Sequence, residues 1–269
     1  MTPISHRLNV TELGQGDPPL LLIHGFGCDQ SAWRRLIPFL KPDHRLILVD
    51  LVGFGRSAIE VYDSQRHATP SGHAEDIVAL CDELGLQGVV MLGHSIGGTI
   101  GMLASIQRPM AFRQLIMVCS SARYLDDPPD YRGGYNRDQL DGLMQLMEQN
   151  YLDWASTISR VALGEAATTP HQESLQQGFL EISPEVLRPL ARNIFLGDSR
   201  PFLPCVTVPS LIVQTARDAM VPLEAAQYLS QHLVASELLV LDTDGHYPQL
   251  TAPGVLAKSL RGRIKAEER

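Results

Sequence analysis

The sequence has few of the features that mark nucleic-acid-binding, membrane-spanning or disulfide-stabilised proteins. Its 269 residues include four cysteines, and 22 lysines and arginines stand against 30 aspartates and glutamates, for a formal net charge of −8. No stretch concentrates basic residues, which argues against a nucleic-acid surface. No uninterrupted apolar run reaches the ~18 residues that a membrane span needs. We therefore expect neither a nucleic-acid partner nor a membrane span.

The cysteines and the N-terminus predict a cytoplasmic protein. Cys28, Cys81, Cys119 and Cys205 are far apart and form no C-x-x-C pair, so we expect free thiols. Residues 1–10 lack the apolar core of a signal peptide. No metalloprotease, EF-hand or P-loop motif occurs, so we expect no metal and no organic cofactor.

What the sequence does contain is a serine between two glycines, directly after an apolar run. The pentapeptide G-H-S-I-G occupies residues 93–97 and follows the run at residues 89–92. On such a strand-to-helix turn the serine adopts strained backbone angles, and its hydroxyl stands clear of the sheet. The N–H of Ile96 then lies at a helix N-terminus, where it can stabilise a developing oxyanion. Ser95 is therefore the candidate nucleophile.

Short apolar runs alternate with helical patterns along most of the chain. The runs are Leu20 to Ile23, Arg45 to Val49, Val89 to Leu92, Leu115 to Val118, Leu211 to Val213 and Leu238 to Leu241. Helices are predicted at Asp29 to Leu40, His73 to Leu84, Ser95 to Gln107, Pro222 to Leu233 and Pro253 to Lys265. Continuous short apolar runs are typical of parallel strands buried on both faces. The pattern predicts an α/β fold with a mostly parallel sheet flanked by helices.

Between Ser121 and Pro209 the alternation stops and only helical patterns remain. They predict helices at Arg137 to Glu148, Tyr151 to Ala162, His171 to Leu180 and Pro184 to Leu196. A helical block between two strands of a parallel sheet is expected to lie over the C-terminal ends of the strands. We predict a core domain at residues 1–120 and 210–269, with a helical lid inserted at residues 121–209.

A serine hydroxyl needs a base that takes its proton, and in sheets of this type the acid and the histidine follow the serine in chain order. His246 follows the last predicted strand through a loop at Gly245, whereas His232 lies in a polar-faced predicted helix. His246 is therefore the candidate base. Asp218 follows the preceding strand and is the candidate acid that orients the imidazole. Asp126 is the reserve acid.

The second oxyanion donor is expected in the loop after an early strand. The tetrapeptide H-G-F-G at residues 24–27 follows the first apolar run, and its small residues let backbone N–H groups turn inward. We expect the N–H groups of Phe26 and Ile96 to form the oxyanion hole. His24 and His94 are predicted to hydrogen-bond to nearby loops.

From residues 24–25, through 93–97, to Asp218 and His246, the chain resembles the α/β-hydrolase superfamily over nearly its whole length. The stretches at residues 25–33, 101–109 and 124–129 are similar to one branch, which holds the bacterial stress-signalling hydrolase RsbQ and the plant strigolactone and karrikin receptors. The resemblance implies an α/β-hydrolase fold with a four-helix, V-shaped lid over an apolar pocket. It also implies a Ser-Asp-His triad and slow turnover of small hydrophobic ligands, often coupled to signalling.

Carried over by position, the resemblance implies a substrate pocket formed by lid and core residues. These are Phe26, Tyr124, Trp154, Ile158, Ile194 and Phe195. For Trp154, packing in the core of a lid helix is an equally good interpretation.

The sequence thus predicts a serine hydrolase that cleaves a small hydrophobic ester or lactone through an acyl-enzyme. One alternative is a ligand-sensing module that recruits a signalling protein and hydrolyses its ligand only slowly. Another is hydrolysis of a carbon–carbon bond by the same triad. The expected partners are a small hydrophobic ligand and, in the sensing alternative, a protein.

Overall fold

The computed structural model describes residues 2–164 and 168–264 of the chain. Within these residues, the strands are β1 (Thr11–Leu13), β2 (Leu20–Ile23), β3 (Leu46–Leu48), β4 (Val89–His94), β5 (Phe112–Val118), β6 (Ser210–Arg217) and β7 (Ser236–Asp244). They form one sheet in the order β1-β3-β2-β4-β5-β6-β7. All neighbours pair in parallel except β1 and β3. The predicted mostly parallel sheet is confirmed.

The sheet is covered by helices on both faces because its central strands are apolar on both sides. Strands β2, β3 and β4 are buried along their whole length. Strand β1 was not predicted, because its three residues form no apolar run and the middle one is exposed. It therefore gives none of the signal by which the other six strands were found.

The helices of the described residues alternate with the strands except in one long insertion. They are α1 (Ile4–Arg7), α2 (Ile37–Leu40), α3 (Pro70–Glu83), α4 (Ile96–Gln107), α5 (Arg137–Gln149), α6 (Tyr151–Leu163), α7 (Thr169–Glu181), α8 (Pro184–Leu196), α9 (Leu223–His232), α10 (Pro248–Thr251) and α11 (Pro253–Leu260). None of them is both long enough and apolar enough to cross a membrane.

Three predicted helices differ from the observed ones for local reasons. The helix predicted at Asp29 to Leu40 is a 3-10 turn followed by α2, because Pro38 has no N–H and stands at the start of a new helix. Helix α3 begins earlier than predicted, since Thr69 caps it and Pro70 suits its first position. Helix α11 ends at Leu260, before a turn with Gly262 at positive φ, and the predicted end at Lys265 lies outside the described residues.

Helices α5 to α8 form the helical insertion between β5 and β6, close to the four predicted helices. Each helix buries one apolar stripe. The buried side chains include Leu140 of α5, Trp154 of α6, Phe179 of α7 and Phe195 of α8. They belong to the same hydrophobic cluster as the strand residues on one face of the sheet. The insertion is therefore packed onto the C-terminal side of the sheet through a continuous apolar core.

Candidate active site

The turn between β4 and α4 holds Ser95 in a strained conformation. Its φ of 53° and ψ of −121° are unfavourable for a residue with a side chain. The neighbouring glycines make the turn possible. A Cβ at Gly93 would lie about 2.5 Å from the backbone of Gly97, and a Cβ at Gly97 would clash with the carbonyl of Ile23. The turn is anchored by the Ser95 N–H, which donates to the Val118 carbonyl at 2.8 Å.

Ser95, His246 and Asp218 lie in one hydrogen-bonded chain. The Ser95 hydroxyl is 2.9 Å from His246 Nε2, and His246 Nδ1 is 2.8 Å from Asp218 Oδ2. Because the carboxylate accepts, Nδ1 carries the proton, and Nε2 is left as the acceptor for the serine hydroxyl. Ser95 and His246 are only 6% and 4% exposed. The structure thus brings together the three residues that the sequence placed in a triad.

The carboxylate of Asp218 is fixed by several donors besides His246. Its Oδ1 accepts the N–H groups of Met220 at 2.8 Å and Val221 at 3.1 Å, and Oδ2 accepts Gln214 Nε2 at 3.2 Å. The reserve acid Asp126 is bonded elsewhere, since its Oδ1 accepts the N–H groups of the glycines at 133 and 134. Asp126 therefore holds a loop of its own, and Asp218 is the acid that faces the imidazole.

The backbone of His246 is held from two sides. Its N–H donates to the Ala162 carbonyl at the end of α6 at 2.7 Å, and its carbonyl accepts His94 Nε2 at 2.8 Å. Burial lowers the pKa of His94 well below its usual value, so the ring is neutral and Nε2 carries its single proton. The loop fits against α6 because Gly245, at φ +82°, has no Cβ to clash with the Leu163 carbonyl. The position of the base thus depends on both the core and the helical insertion.

His24 also has a structural role, as predicted. Burial lowers its pKa, and the neutral ring donates from Nδ1 to the Gly25 carbonyl at 2.9 Å and accepts the Leu51 N–H at 3.0 Å. His232, by contrast, lies on the exposed face of α9, and its Nδ1 is 2.8 Å from the Tyr228 carbonyl. Neither ring reaches Ser95.

The two predicted oxyanion donors are the backbone N–H groups of Phe26, in the loop after β2, and of Ile96, the residue after the serine. Within the part of the chain that the structure describes, neither the Phe26 N–H nor the Ile96 N–H donates a hydrogen bond. The Ile96 N–H is at the first position of α4, where helix geometry leaves it without an intrahelical acceptor. Gly27 has a φ of +74°, and a Cβ there would clash with the ring of Phe179. Within the described residues, both N–H groups are therefore left without a hydrogen-bond acceptor.

A cavity of about 20 Å³ opens at the Ser95 hydroxyl. It is lined by Phe26, Ser95, Tyr124, Ile158, Ala162, Phe179, Ile194, Phe195, Met220, His246 and Tyr247. The Tyr124 hydroxyl lies 3.2 Å from Ser95 Oγ, and burial raises the pKa of this tyrosine. Five of the six pocket residues taken from the resemblance line this cavity.

Trp154 is the sixth predicted pocket residue, and the structure places it behind the wall. Its ring packs edge-on against Phe179 at 5.1 Å and Phe26 at 6.3 Å, stacks on Tyr151 at 5.5 Å, and is fully buried. Trp154 does not line this cavity, and its ring packs against Phe179 and Phe26, which do. Among the residues missed, Tyr247 could have been suspected from its place next to His246, and Phe179 from the apolar stripe of its helix.

A mostly parallel sheet with a serine on the turn after a central strand, and an acid and a histidine after two later strands, defines the α/β-hydrolase class. A model of the alpha/beta hydrolase family matches residues 20–259. The chain therefore belongs to this family.

Relatives and a solved structure agree with this assignment. The strigolactone esterase RMS3 of Pisum sativum is 37% identical over 260 residues, covering 96% of this chain and 97% of that protein. The karrikin insensitive 2 receptor CA of Petunia hybrida is 35% identical over 257 residues, covering 95% of each. The structure of olei00960, a hydrolase from Oleispira antarctica, matches with a TM-score of 0.95 and 32% identity, covering 97% of this chain and 96% of that one. The resemblance to the branch of the plant receptors is confirmed.

Proposed function

We propose that the protein cleaves a small hydrophobic ester or lactone through an acyl-enzyme formed on Ser95. The observation that carries the proposal is the hydrogen-bonded chain from Ser95 through His246 to Asp218. As the Ser95 oxygen attacks the carbonyl carbon, its proton passes to His246 Nε2, and the imidazolium that forms is stabilised by Asp218. The N–H groups of Phe26 and Ile96 then donate to the oxyanion.

The remaining steps of the reaction use the same groups. His246 gives its proton to the leaving alkoxide, which departs as an alcohol or, from a lactone, remains tethered as a hydroxyl. Water replaces it, His246 takes a proton from the water, and the resulting hydroxide attacks the acyl carbon. Collapse of the second oxyanion releases the acid and returns the proton to Ser95.

The composition of the cavity wall supports a neutral, apolar substrate. The side chains of the described residues that line the cavity include no aspartate, glutamate, lysine or arginine, and most are aromatic or aliphatic. An apolar wall stabilises a ligand by roughly 0.8 kcal/mol for each methylene that it takes from water. The name of the pea relative, a strigolactone esterase, supports an ester or lactone as the substrate.

We also propose that residues 121–209 act as a lid over a core made of residues 1–120 and 210–269. The cavity at Ser95 is small and its wall includes side chains of the insertion, so we expect the helical insertion to move when a substrate enters. A surface groove of about 260 Å³ lies nearby, lined by Gly27 and by Gly178 of α7. The ring of Phe179, next to Gly178, lies in the wall of the cavity, so displacement of α7 would join the groove to the cavity.

A second candidate function is ligand sensing, in which a signalling protein recognises the moved lid. It is favoured by the hydrogen bond between the Ala162 carbonyl of α6 and the His246 N–H, which connects the insertion to the catalytic base. The name of the petunia relative, a karrikin receptor, supports the same idea. We place either function in the cytoplasm, since all four cysteines are free thiols.

The test of the hydrolase is covalent labelling and turnover of short-chain p-nitrophenyl esters. The wild-type protein should be labelled at Ser95 by a fluorophosphonate, and Ser95→Ala should lose labelling and at least about 10³-fold in turnover. The matched control is Ser105→Ala, which removes another buried serine hydroxyl, on α4. Turnover of Ser95→Ala above about a tenth of the wild-type rate would disprove the nucleophile.

Two further measurements separate the alternatives. Ligand-dependent capture of a protein partner that survives Ser95→Ala would favour sensing as the main role. Cleavage of a β-diketone in the absence of ester cleavage would move the assignment to carbon–carbon bond hydrolysis.

A further inference from the structure

A buried thiol lies behind the catalytic base, on the side away from the substrate cavity. Cys119 follows β5 directly, is fully buried, and has a φ of 49°. Its N–H donates to the Val213 carbonyl at 2.8 Å, which fixes it beside β6, the strand that leads to Asp218. It is not among the residues that line the cavity, and neither step of the proposed reaction uses it.

The sulfur of Cys119, a carboxylate oxygen of Asp218 and a ring nitrogen of His246 all lie within 4.8 Å of one another. Within residues 2–164 and 168–264, no other three side chains of the metal-binding types come this close. The nitrogen concerned is Nδ1, because Nδ1 faces Asp218 while Nε2 faces Ser95. Three different donor atoms therefore converge on one buried point.

A thiolate, an imidazole and a carboxylate are the donors that bind zinc and the softer divalent ions. At zinc bond lengths, two ligands of a tetrahedral ion are about 3.6 Å apart. In the structure the three atoms are at most 4.8 Å apart, and Nδ1 and Oδ2 are 2.8 Å apart, so small shifts bring them to that spacing. Mg²⁺ and Ca²⁺ prefer sets of oxygen ligands and do not match a site with sulfur.

We propose that Cys119, Asp218 and His246 form an inhibitory site for a thiophilic divalent cation such as Zn²⁺ or Cd²⁺. On binding, the thiol proton leaves to solvent, and the imidazole proton moves from Nδ1 to Nε2 as the ion takes Nδ1. The net charge of the three side chains changes from −1 to zero with the ion included. An ion on Nδ1 therefore leaves Nε2 protonated and unable to accept the proton of Ser95.

The same surroundings keep the thiol inert when no ion is present. Burial, together with the nearby charge of Asp218, raises the pKa of Cys119 far above its usual value. The protonated thiol does not compete with Ser95 as a nucleophile. Because the site is buried, the ion must wait for local opening, and we expect inhibition to develop slowly after mixing.

The inhibition rests on the proposed hydrolase function, but the binding of the ion does not, so the two are measured separately. Ester turnover is followed over time with Zn²⁺, Cd²⁺ or Mg²⁺ added, for the wild type, Cys119→Ser and the control Cys205→Ser, which removes an exposed thiol. Each protein is compared with its own rate without metal. We expect slow inhibition of the wild type and of Cys205→Ser by Zn²⁺ and Cd²⁺, no inhibition by Mg²⁺, and recovery with EDTA. Cys119→Ser should need at least about tenfold more metal.

Binding itself is measured by equilibrium dialysis of Cd²⁺ against the Ser95→Ala protein, which does not require catalysis. One ion should bind tightly per chain, and adding either Cys119→Ser or His246→Ala should weaken that binding at least about tenfold. Cys119→Ala serves in place of Cys119→Ser if the latter does not fold. Equal inhibition of wild type and Cys119→Ser, or unchanged Cd²⁺ binding in the double variants, overturns the site. Absence of ester turnover contradicts the hydrolase and leaves the dialysis result to decide the metal site.

Discussion

The buried imidazole of His73 should make the folded state less stable as the pH falls from 7 to 5. His73 lies on α3 with no exposed surface, and its Nε2 donates to the His67 carbonyl at 3.0 Å. Burial lowers its pKa from 6.5 to about 3. Between these two values the unfolded chain binds a proton at His73 and the folded chain does not. The free energy of unfolding contributed by this group is therefore present above pH 6.5 and is lost as the pH falls toward 3.

The size of the effect follows from the two pKa values. The difference in proton binding is worth about 0.2 kcal/mol at pH 7 and about 2 kcal/mol at pH 5. Burial lowers the pKa of His24 and His94 as well, so both add to the loss in the same direction. The carboxylates whose pKa values are lowered, such as Asp76 and Asp198, respond only at lower pH. The window from pH 7 to 5 thus reports mainly on the histidines.

The assay is urea unfolding at pH 7 and pH 5 of the wild type and of His73→Gln, which keeps a side-chain N–H but does not titrate. The quantity compared is the change in the free energy of unfolding between the two pH values, because the substitution also alters packing at both. This change should be smaller in His73→Gln by about 2 kcal/mol. His232→Gln, which removes an exposed histidine, is the control and should behave as the wild type. An identical pH dependence in wild type and His73→Gln would refute the reasoning.

Three further predictions concern the site. Asp218→Asn should lower ester turnover by about 10⁴-fold, because the amide no longer holds Nδ1 of His246 as a donor. Asp126→Asn should retain most of the activity. The opposite result in the two rate measurements would show that Asp126 is the acid. Trp154→Ala should lower the free energy of unfolding, measured in urea, by about 3–5 kcal/mol without changing the preferred acyl length. Ile158→Ala, in the cavity wall, should shift the preferred acyl length to longer chains. A shift in both variants or in neither would contradict the placement of Ile158 in the wall and Trp154 outside it. Gly97→Ala should lower the yield and thermal stability of the folded protein, because its Cβ clashes with the Ile23 carbonyl, and an unchanged melting temperature would show that the turn relaxes at no cost.

The sheet and the residues at its C-terminal edge could be predicted because their signals are local. Ser95 lies in a pentapeptide whose glycines are required by the turn itself, and His246 and Asp218 each follow a strand that reads as an apolar run. The connection between them is then set by topology, since the ends of neighbouring parallel strands lie side by side. Strand β1 has no such signal.

The sequence could not show which aromatic ring of the insertion lines the cavity. Trp154 and Phe179 both belong to apolar helix stripes, and either ring could face the cavity. Phe179 lines the cavity because α7 lies close to the loop after β2. At this contact a Cβ on Gly178 would be 2.8 Å from the Gly27 carbonyl oxygen. Such backbone proximity between distant segments leaves no periodic pattern in the sequence.

The hydrogen bond between the Ala162 carbonyl and the His246 N–H connects the helical insertion directly to the catalytic base. Among the described residues, a shift of α6 that broke this hydrogen bond would leave the His246 backbone held only by the bond from His94 Nε2 to its carbonyl. The helical insertion therefore contributes to the wall of the cavity at the nucleophile and also holds the base in place.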